Sequence, residues 1–327
     1  MREDVQFTSE GVTCRGWWTR PEGAAPDSRC AAVVLAHGFA AVKEMALDRF
    51  AEAFAEAGFA SLVFDYRGLG SSDGAPRQDL DPYAQITDYR NAISWVRARP
   101  EVDPARIGVW GTSYSGANAL MVAALDRRVR AVVAQVPLID GWETFGRMSG
   151  TEVRDALVAA LIDERERLYA GAAPQMMPVV APENGPAALP GDESWQWFQS
   201  YASRAPSWRN EITLQSLERL LEYAPLRWID RIAPTPLLLI AAEHDFIPID
   251  LTREAFARAG EPKKLVVLPA GHFAPYEPPH FATASGLAVE WFRRFLRSGA
   301  NDQEAVASSL ADGSSLAASP SVPVSRT

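Results

Sequence analysis

Ala31 to Ala36 (AAVVLA) is a continuous apolar run without alternation, the pattern of a strand buried on both faces. A strand of that kind needs helices on each side of its sheet, and the neighbouring segments supply them. Leu47 to Ala57 has helical apolar spacing at Leu47, Phe50 and Phe54 and stops at Gly58. Ala60 to Phe64 is the next strand. Pro82 to Arg99 reads as a helix closed by Pro100, Ile107 to Trp110 as a strand, and Arg130 to Gln135 as another. Ahead of them, Gln6 to Thr8 and Thr13 to Thr19 make a hairpin turning at Glu10-Gly11. The alternation predicts an α/β fold with a mostly parallel sheet flanked by helices.

From about Asp140 to Tyr223 the alternation stops. Glu152 to Tyr169 reads as one helix, Gly171 to Gly191 as a Pro/Ala/Gly-rich loop, Asp192 to Tyr201 as an aromatic-rich segment, and Leu214 to Leu221 as a helix. Strand and helix signals then resume at Pro236 to Ala241, Leu251 to Arg258, Lys264 to Leu268 and Phe281 to Leu296. The expected organisation is therefore a core of residues 1–139 and 224–297, a helical cap insertion of 140–223, and an Ala/Ser-rich disordered tail of 298–327.

The strand at Ile107 to Trp110 runs into Gly111-Thr112-Ser113-Tyr114-Ser115-Gly116 and then into the Ala-rich segment Ala117 to Leu125. Strand, tight turn with a central serine, and helix form the context in which a G-x-S-x-G-like motif exposes a nucleophile. The fifth position departs from the motif: it is Ser115, and glycine comes one residue later. A serine hydroxyl needs a base to take its proton and an anion to orient that base. The chain has four histidines: His37, His244, His272 and His280. The order serine, acid, histidine on loops after late strands is the α/β-hydrolase order, and it selects His272 as base and Asp245 as orienting acid.

The chain resembles an α/β-hydrolase over roughly residues 5 to 297. The resemblance rests on the serine turn, His37-Gly38-Phe39, the stretch Asp65 to Ser72, Glu243-His244-Asp245 and Gly271-His272-Phe273. More narrowly it is similar to the dienelactone-hydrolase-like or X-Pro-dipeptidyl-peptidase-like subgroup, which includes fungal polyketide transferases and thiohydrolases. The shared stretches there are Phe64 to Arg67, Gly111-Thr112-Ser113, Pro206 to Glu211, and Pro234-Thr235-Pro236. The resemblance implies an oxyanion hole built from the backbone N–H groups of Phe39 and Tyr114. It implies a serine hydrolase of the carboxylesterase or thioesterase type working through an acyl-enzyme, with acyl transfer to an alcohol or amine as the alternative. An X-Pro peptidase would need an acidic clamp for a substrate amine, for which Glu143, Asp192 and Glu193 are available, and a binding protein without chemistry would reuse the fold alone.

Each residue also has a structural reading. Asp250 rivals Asp245 but suits a helix N-terminus. His37 suits a hydrogen-bonding support for the oxyanion loop, His244 a solvated loop, and His280 no role. Asp65 to Ser72 reads as a structural loop tied by a buried Asp/Arg arrangement. Trp142, Phe145, Trp195 and Phe198 are the expected substrate contacts within the insertion.

Composition narrows the partners. A net charge of −9 argues against nucleic acid or anionic membrane as partner. No apolar run reaches membrane-spanning length, and Met1-Arg2-Glu3-Asp4 lacks a secretory pattern, so a cytoplasmic location is expected. Cys14 and Cys30 fit no metal spacing and read as free thiols. No metal or other cofactor is implied, the partner is a small acyl substrate, and related folds often form a homodimer.

Overall fold

The structure is a computed structural model that describes residues 2–22 and 29–297; the tail expected at 298–327 lies outside them. The chain opens with β1 (Arg2–Ser9) and β2 (Val12–Thr19), turning at Glu10-Gly11. Then come β3 (Cys30–Ala36), α1 (Leu47–Glu56), β4 (Ala60–Phe64), α2 (Pro82–Arg97), β5 (Val102–Thr112), α3 (Tyr114–Leu125) and β6 (Val129–Gln135). The excursion follows as α4 (Gly141–Ser149), α5 (Thr151–Tyr169), the short strand β7 (Met176–Met177), α6 (Asp192–Ala202), the short strand β8 (Ile212–Thr213) and α7 (Gln215–Glu222). The chain returns as β9 (Leu237–Ala242), α8 (Ile249–Arg258), β10 (Lys263–Leu268) and α9 (His280–Phe295). Excursion and sheet belong to one compact unit that runs to Leu296.

Eight strands form one sheet in the order β1-β2-β4-β3-β5-β6-β9-β10. The opening hairpin is antiparallel, β2 joins β4 antiparallel, and every later pairing is parallel. Every residue of β4 and β9 is buried, as is β3 after Cys30, as their largely apolar sequences require, with Ser61 of β4 the polar exception. Cys14 and Cys30 are free thiols. No helix among the described residues is long and apolar enough to cross a membrane.

Local chemistry accounts for the ends of elements. Asp81 caps α2 by accepting from the N–H groups of Tyr83 and Ala84, with Pro82 in the first turn. Asp140 caps α4 by accepting from the N–H of Glu143 at 3.0 Å. The sequence pattern does not announce α4, because Gly141 and Gly146 dilute its helical signal. Likewise β5 begins at Val102, five residues before the expected strand, and passes through Pro104. Helix α3 is buried from Tyr114 to Ala124, so its run of small residues reflects a helix with neighbours on all sides.

The parallel strands end together at one edge, where the loops after β3, β5, β9 and β10 meet. Phe39, Ser113, Asp245 and His272 all sit in those loops.

Candidate active site

Ser113 sits between β5 and α3 with φ 55° and ψ −120°, a left-handed conformation that a residue with a side chain adopts at a cost. Backbone bonds hold it there: its N–H donates to Gln135 O at 2.8 Å, and its carbonyl accepts from Leu138 at 3.1 Å. The turn is crowded. A Cβ on Gly111 would lie 2.0 Å from the carbonyl oxygen of Ser115, and one on Gly116 would lie 2.9 Å from Pro137 Cβ. Position 115 has room for a side chain, and the Ser115 hydroxyl meets the Tyr66 hydroxyl at 2.7 Å. Asn118 extends this buried network from Tyr66 to Gln85 and Tyr223, so the motif's departure from glycine anchors α3 to the loop after β4.

His272 Nε2 lies 3.1 Å from Ser113 Oγ, and its Nδ1 lies 2.8 Å from Asp245 Oδ1. The side chains of His272 and Asp245 are 2% and 4% exposed, so their pairing is shielded from solvent. A carboxylate oxygen only accepts, so Nδ1 carries the proton and Nε2 faces the serine with a lone pair. Ile247 N–H donates to the same Asp245 oxygen at 2.8 Å, and the Phe246 ring packs 4.1 Å from the imidazole. The rival Asp250 lies in α8 and pairs with Arg147 at 2.7 Å. His244 is exposed and His280 begins α9.

Phe39 follows β3 in a loop that touches the serine: a Cβ on Gly38 would lie 3.2 Å from Ser113 Cβ. The carbonyl of Gly38 accepts from Ala41 N–H at 3.3 Å, with His37 Nδ1 at 3.1 Å. Because a trans peptide points its C=O and N–H in opposite directions, those contacts turn the Phe39 N–H the other way. Tyr114 N is the first amide of α3, at the helix end whose N–H groups lack intrahelical partners. Beyond Phe39 the loop is pinned from the excursion. Ala40 has φ 51°, and its carbonyl accepts the Trp208 indole N–H at 3.0 Å. Trp208 stacks on Phe198, Ser207 donates to Glu44, and Asn210 exchanges two hydrogen bonds with the Val180 backbone. The stretch Pro206 to Glu211 is thus a strap across the loop that carries Phe39.

His37 is 1% exposed, and burial pulls its pKa below the ordinary histidine value against the opposing pull of Asp65. A buried Asp/Arg arrangement does tie the stretch Asp65 to Ser72, through Arg67 and the buried Asp88, while Asp65 itself takes a lysine. Asp65 binds the Lys43 ammonium at 2.7 Å together with the N–H of Lys43 and of Ser71. Arg67 pairs with Asp88 at 2.9 Å, outside that stretch. Proximity explains this, since Lys43 arrives on the adjacent loop and is 4% exposed.

Two narrow chambers open from Ser113, and Phe39 and Leu189 border both. The first lies under α4 and is lined by Tyr114, Leu138, Phe145, Met148, Leu220 and Ile247 among others. The second lies under α6 and is lined by His272, Met45, Trp197, Phe198, Phe273 and Tyr276 among others. Phe145 and Phe198 therefore stand where substrate contacts are expected. Trp142 and Trp195 line neither chamber, which corrects that expectation. Trp142 is 41% exposed with the Arg154 guanidinium 4.1 Å over its ring, and Trp195 is partly buried against the core. Helical period decides this: Ser194, Trp197, Phe198 and Tyr201 share one face of α6, and Gly141, Thr144, Phe145 and Met148 share one face of α4. That spacing is present in the sequence and would have separated Trp197 from Trp195. Among the described residues no carboxylate lines either chamber; Glu143, Asp192 and Glu193 are exposed.

A family model described as X-Pro dipeptidyl-peptidase (S15 family) matches residues 15–274. The chain is 32% identical over 295 residues to quorum-quenching protein AidA of Acinetobacter baumannii, covering 90% of this chain and 95% of that one. It is 34% identical over 275 residues to thiohydrolase aneE of Aspergillus aculeatus, covering 80% and 83%. Polyketide transferase grgF of a Penicillium species is 30% identical over 276 residues, covering 82% and 87%. The crystal structure of the α/β hydrolase GrgF from Penicillium sp. sh18 is similar with TM-score 0.77 and 28% identity, covering 90% of this chain and 99% of that one.

Proposed function

The chain belongs to the X-Pro dipeptidyl-peptidase (S15) family of the α/β-hydrolase fold, and from that membership we propose a serine hydrolase that cleaves an ester or thioester through an acyl-enzyme. The observation that carries this reading is the unbroken chain from Ser113 Oγ to His272 at 3.1 Å and on to Asp245 at 2.8 Å. In the proposed reaction Ser113 Oγ attacks the acyl carbon and its proton passes to His272 Nε2. Asp245 holds the imidazole in register and stabilises the imidazolium. The Phe39 and Tyr114 N–H groups receive the developing oxyanion; one such donor is worth about 10² to 10³ in rate. The proton on Nε2 then goes to the departing oxygen or sulfur, and water resolves the acyl-enzyme. The excursion 140–223 serves as the cap that walls both chambers.

The apolar linings favour an acyl group that is mostly hydrocarbon, and thiohydrolase aneE supports a thioester as the natural bond. Acyl transfer is the second reading, supported by the polyketide-transferase relative. The family's name does not extend to a dipeptidyl cleavage here, because a substrate ammonium would meet no carboxylate in either chamber.

The test is turnover of p-nitrophenyl and thioester acyl series by the protein and by Ser113→Ala. Wild type should release nitrophenol in a burst and take a fluorophosphonate label on Ser113. The alanine variant should lose about 10⁶ in kcat. An alanine variant that kept most of its turnover would sink the assignment, and an unlabelled serine in the wild type would favour a binding protein.

A further inference from the structure

Asp245 fixes how the His272 ring is turned, but the distance from that ring to Ser113 depends on how the loop after β10 sits against the end of β5. In the sheet order β5-β6-β9-β10 the serine turn follows β5 and the His272 loop follows β10, three strands away. With strands about 4.8 Å apart, that loop has to return roughly 14 Å across β9 and β6 to reach Ser113. Asp245 acts from the loop after β9, the neighbour of β10, and so cannot hold the loop against β5.

Among the described residues, one hydrogen bond besides that of His272 to Ser113 joins this loop to β5 or the serine turn. The Tyr276 hydroxyl lies 2.5 Å from Thr112 Oγ1, on the residue that immediately precedes the nucleophile. Tyr276 and Thr112 are both buried, at 4% and 1% exposure. Gln135, at the end of β6, completes the joint. Its Nε2 donates to Thr112 Oγ1 at 3.3 Å, while its carbonyl accepts the Ser113 N–H at 2.8 Å. Short turns link Tyr276 back to His272: Tyr276 N–H donates to Phe273 O at 3.1 Å, and Ala274 N–H to Gly271 O at 3.3 Å. Arg49 of α1 donates to the Tyr276 carbonyl at 2.8 Å.

We propose that the Tyr276 and Thr112 hydroxyls are positioning groups: bonded to each other, they hold the loop after β10 where His272 Nε2 reaches Ser113 Oγ. The inference rests on the acyl-enzyme reading, in which His272 takes a proton in acylation and again in deacylation. A misplacement of about 1 Å can cost on the order of 10² in rate. Because both steps use the same Nε2, loss of the clamp slows both by one factor. Burial raises the Tyr276 pKa, so its hydroxyl stays protonated where an imidazole titrates, and the clamp adds no limb of its own to a pH profile.

The experiment compares the full chain with Tyr276→Phe, Thr112→Val, Thr112→Ser and the Tyr276→Phe/Thr112→Val double variant on one p-nitrophenyl ester. Burst amplitude counts intact sites, burst rate reports acylation, and the steady rate reports deacylation. Tyr276→Phe and Thr112→Val should each keep a full burst amplitude and lose about 10-fold in both rates, leaving KM unchanged. The double variant should be no slower than the slower single one, because the two hydroxyls form one bond. Thr112→Ser returns the hydroxyl and should recover most of the loss. The profile of kcat/KM against pH should scale down without moving its acid limb, which reports the free histidine. Wild-type rates in both variants that lack a hydroxyl would overturn the inference, and so would multiplied losses in the double variant. A shifted acid limb, or a change in KM alone, would also sink it, assigning Tyr276 to the charge of His272 or to the chamber wall. If one of the two variants fails to fold, the other decides, with Thr112→Ser as its control. A wild type without a nitrophenol burst would instead defeat the acyl-enzyme reading itself, so the two failures are told apart.

Discussion

At the scale of single residues, the site depends on atoms that a sequence motif does not name. Asp245 Oδ1 accepts from both His272 and Ile247, so an amide at this position could keep both contacts and lose only the charge. Asp245→Asn should therefore retain the fold and lose about 10⁴ in kcat, read by steady-state turnover with an unchanged thermal midpoint as the control. Ser115 is the converse case. As a symbol it breaks the G-x-S-x-G pattern; as a hydroxyl beside Tyr66 it fills a space that glycine leaves open, while Gly111 and Gly116 sit where a Cβ would collide. Which glycines the turn needs is a question of distances between strand and helix.

At the scale of elements, the strap holds the loop after β3 and the excursion helices line the two chambers. Trp208 reaches the loop after β3 through the Ala40 carbonyl, one residue beyond Phe39. Trp208→Phe should lower kcat on the order of 10-fold with KM little changed, because a misaimed amide weakens the transition state and not the bound ester. A parallel fall in affinity for a boronic acid that mimics the tetrahedral adduct would check this; a change in melting temperature alone would not fit. Within α4, Phe145 faces the chamber and Trp142 faces solvent beside Arg154. Phe145→Ala should shift the acyl-length optimum by several carbons, whereas Trp142→Ala should leave the acyl-length profile in place, measured with one p-nitrophenyl ester series. These helices were the least legible part of the sequence. Glycines inside α4 hide its period, and aromatic content alone did not separate the buried face of α6 from its partly exposed one.

For the whole molecule, a histidine buried in the folded chain makes stability respond to pH. His37 opens the loop after β3, buried beside Asp65, and its pKa is held below the unfolded value near 6.5 by burial. The unfolded chain therefore binds this proton more readily than the folded one. The histidine's contribution is full above the unfolded pKa and is lost as pH falls toward the folded value. The thermal midpoint should drop between pH 7 and pH 5, and His37→Gln, which can still donate to the Gly38 carbonyl, should reduce that drop by roughly 2 °C or more. A drop of the same size in the variant would remove His37 as its source.

The sequence by itself determined the layered α/β class, the strand that ends in Ser113, and the order in which serine, acid and histidine arrive. Those depend on local period and on loops that follow named strands, both of which are written along the chain. Tertiary structure decided what the loops meet: Lys43 rather than an arginine on Asp65, Trp208 on Ala40, and two unequal chambers on either side of one serine. Those contacts join residues more than 20 and up to 168 positions apart, and burial and distance that far along a chain are set only when the sheet and its excursion pack together.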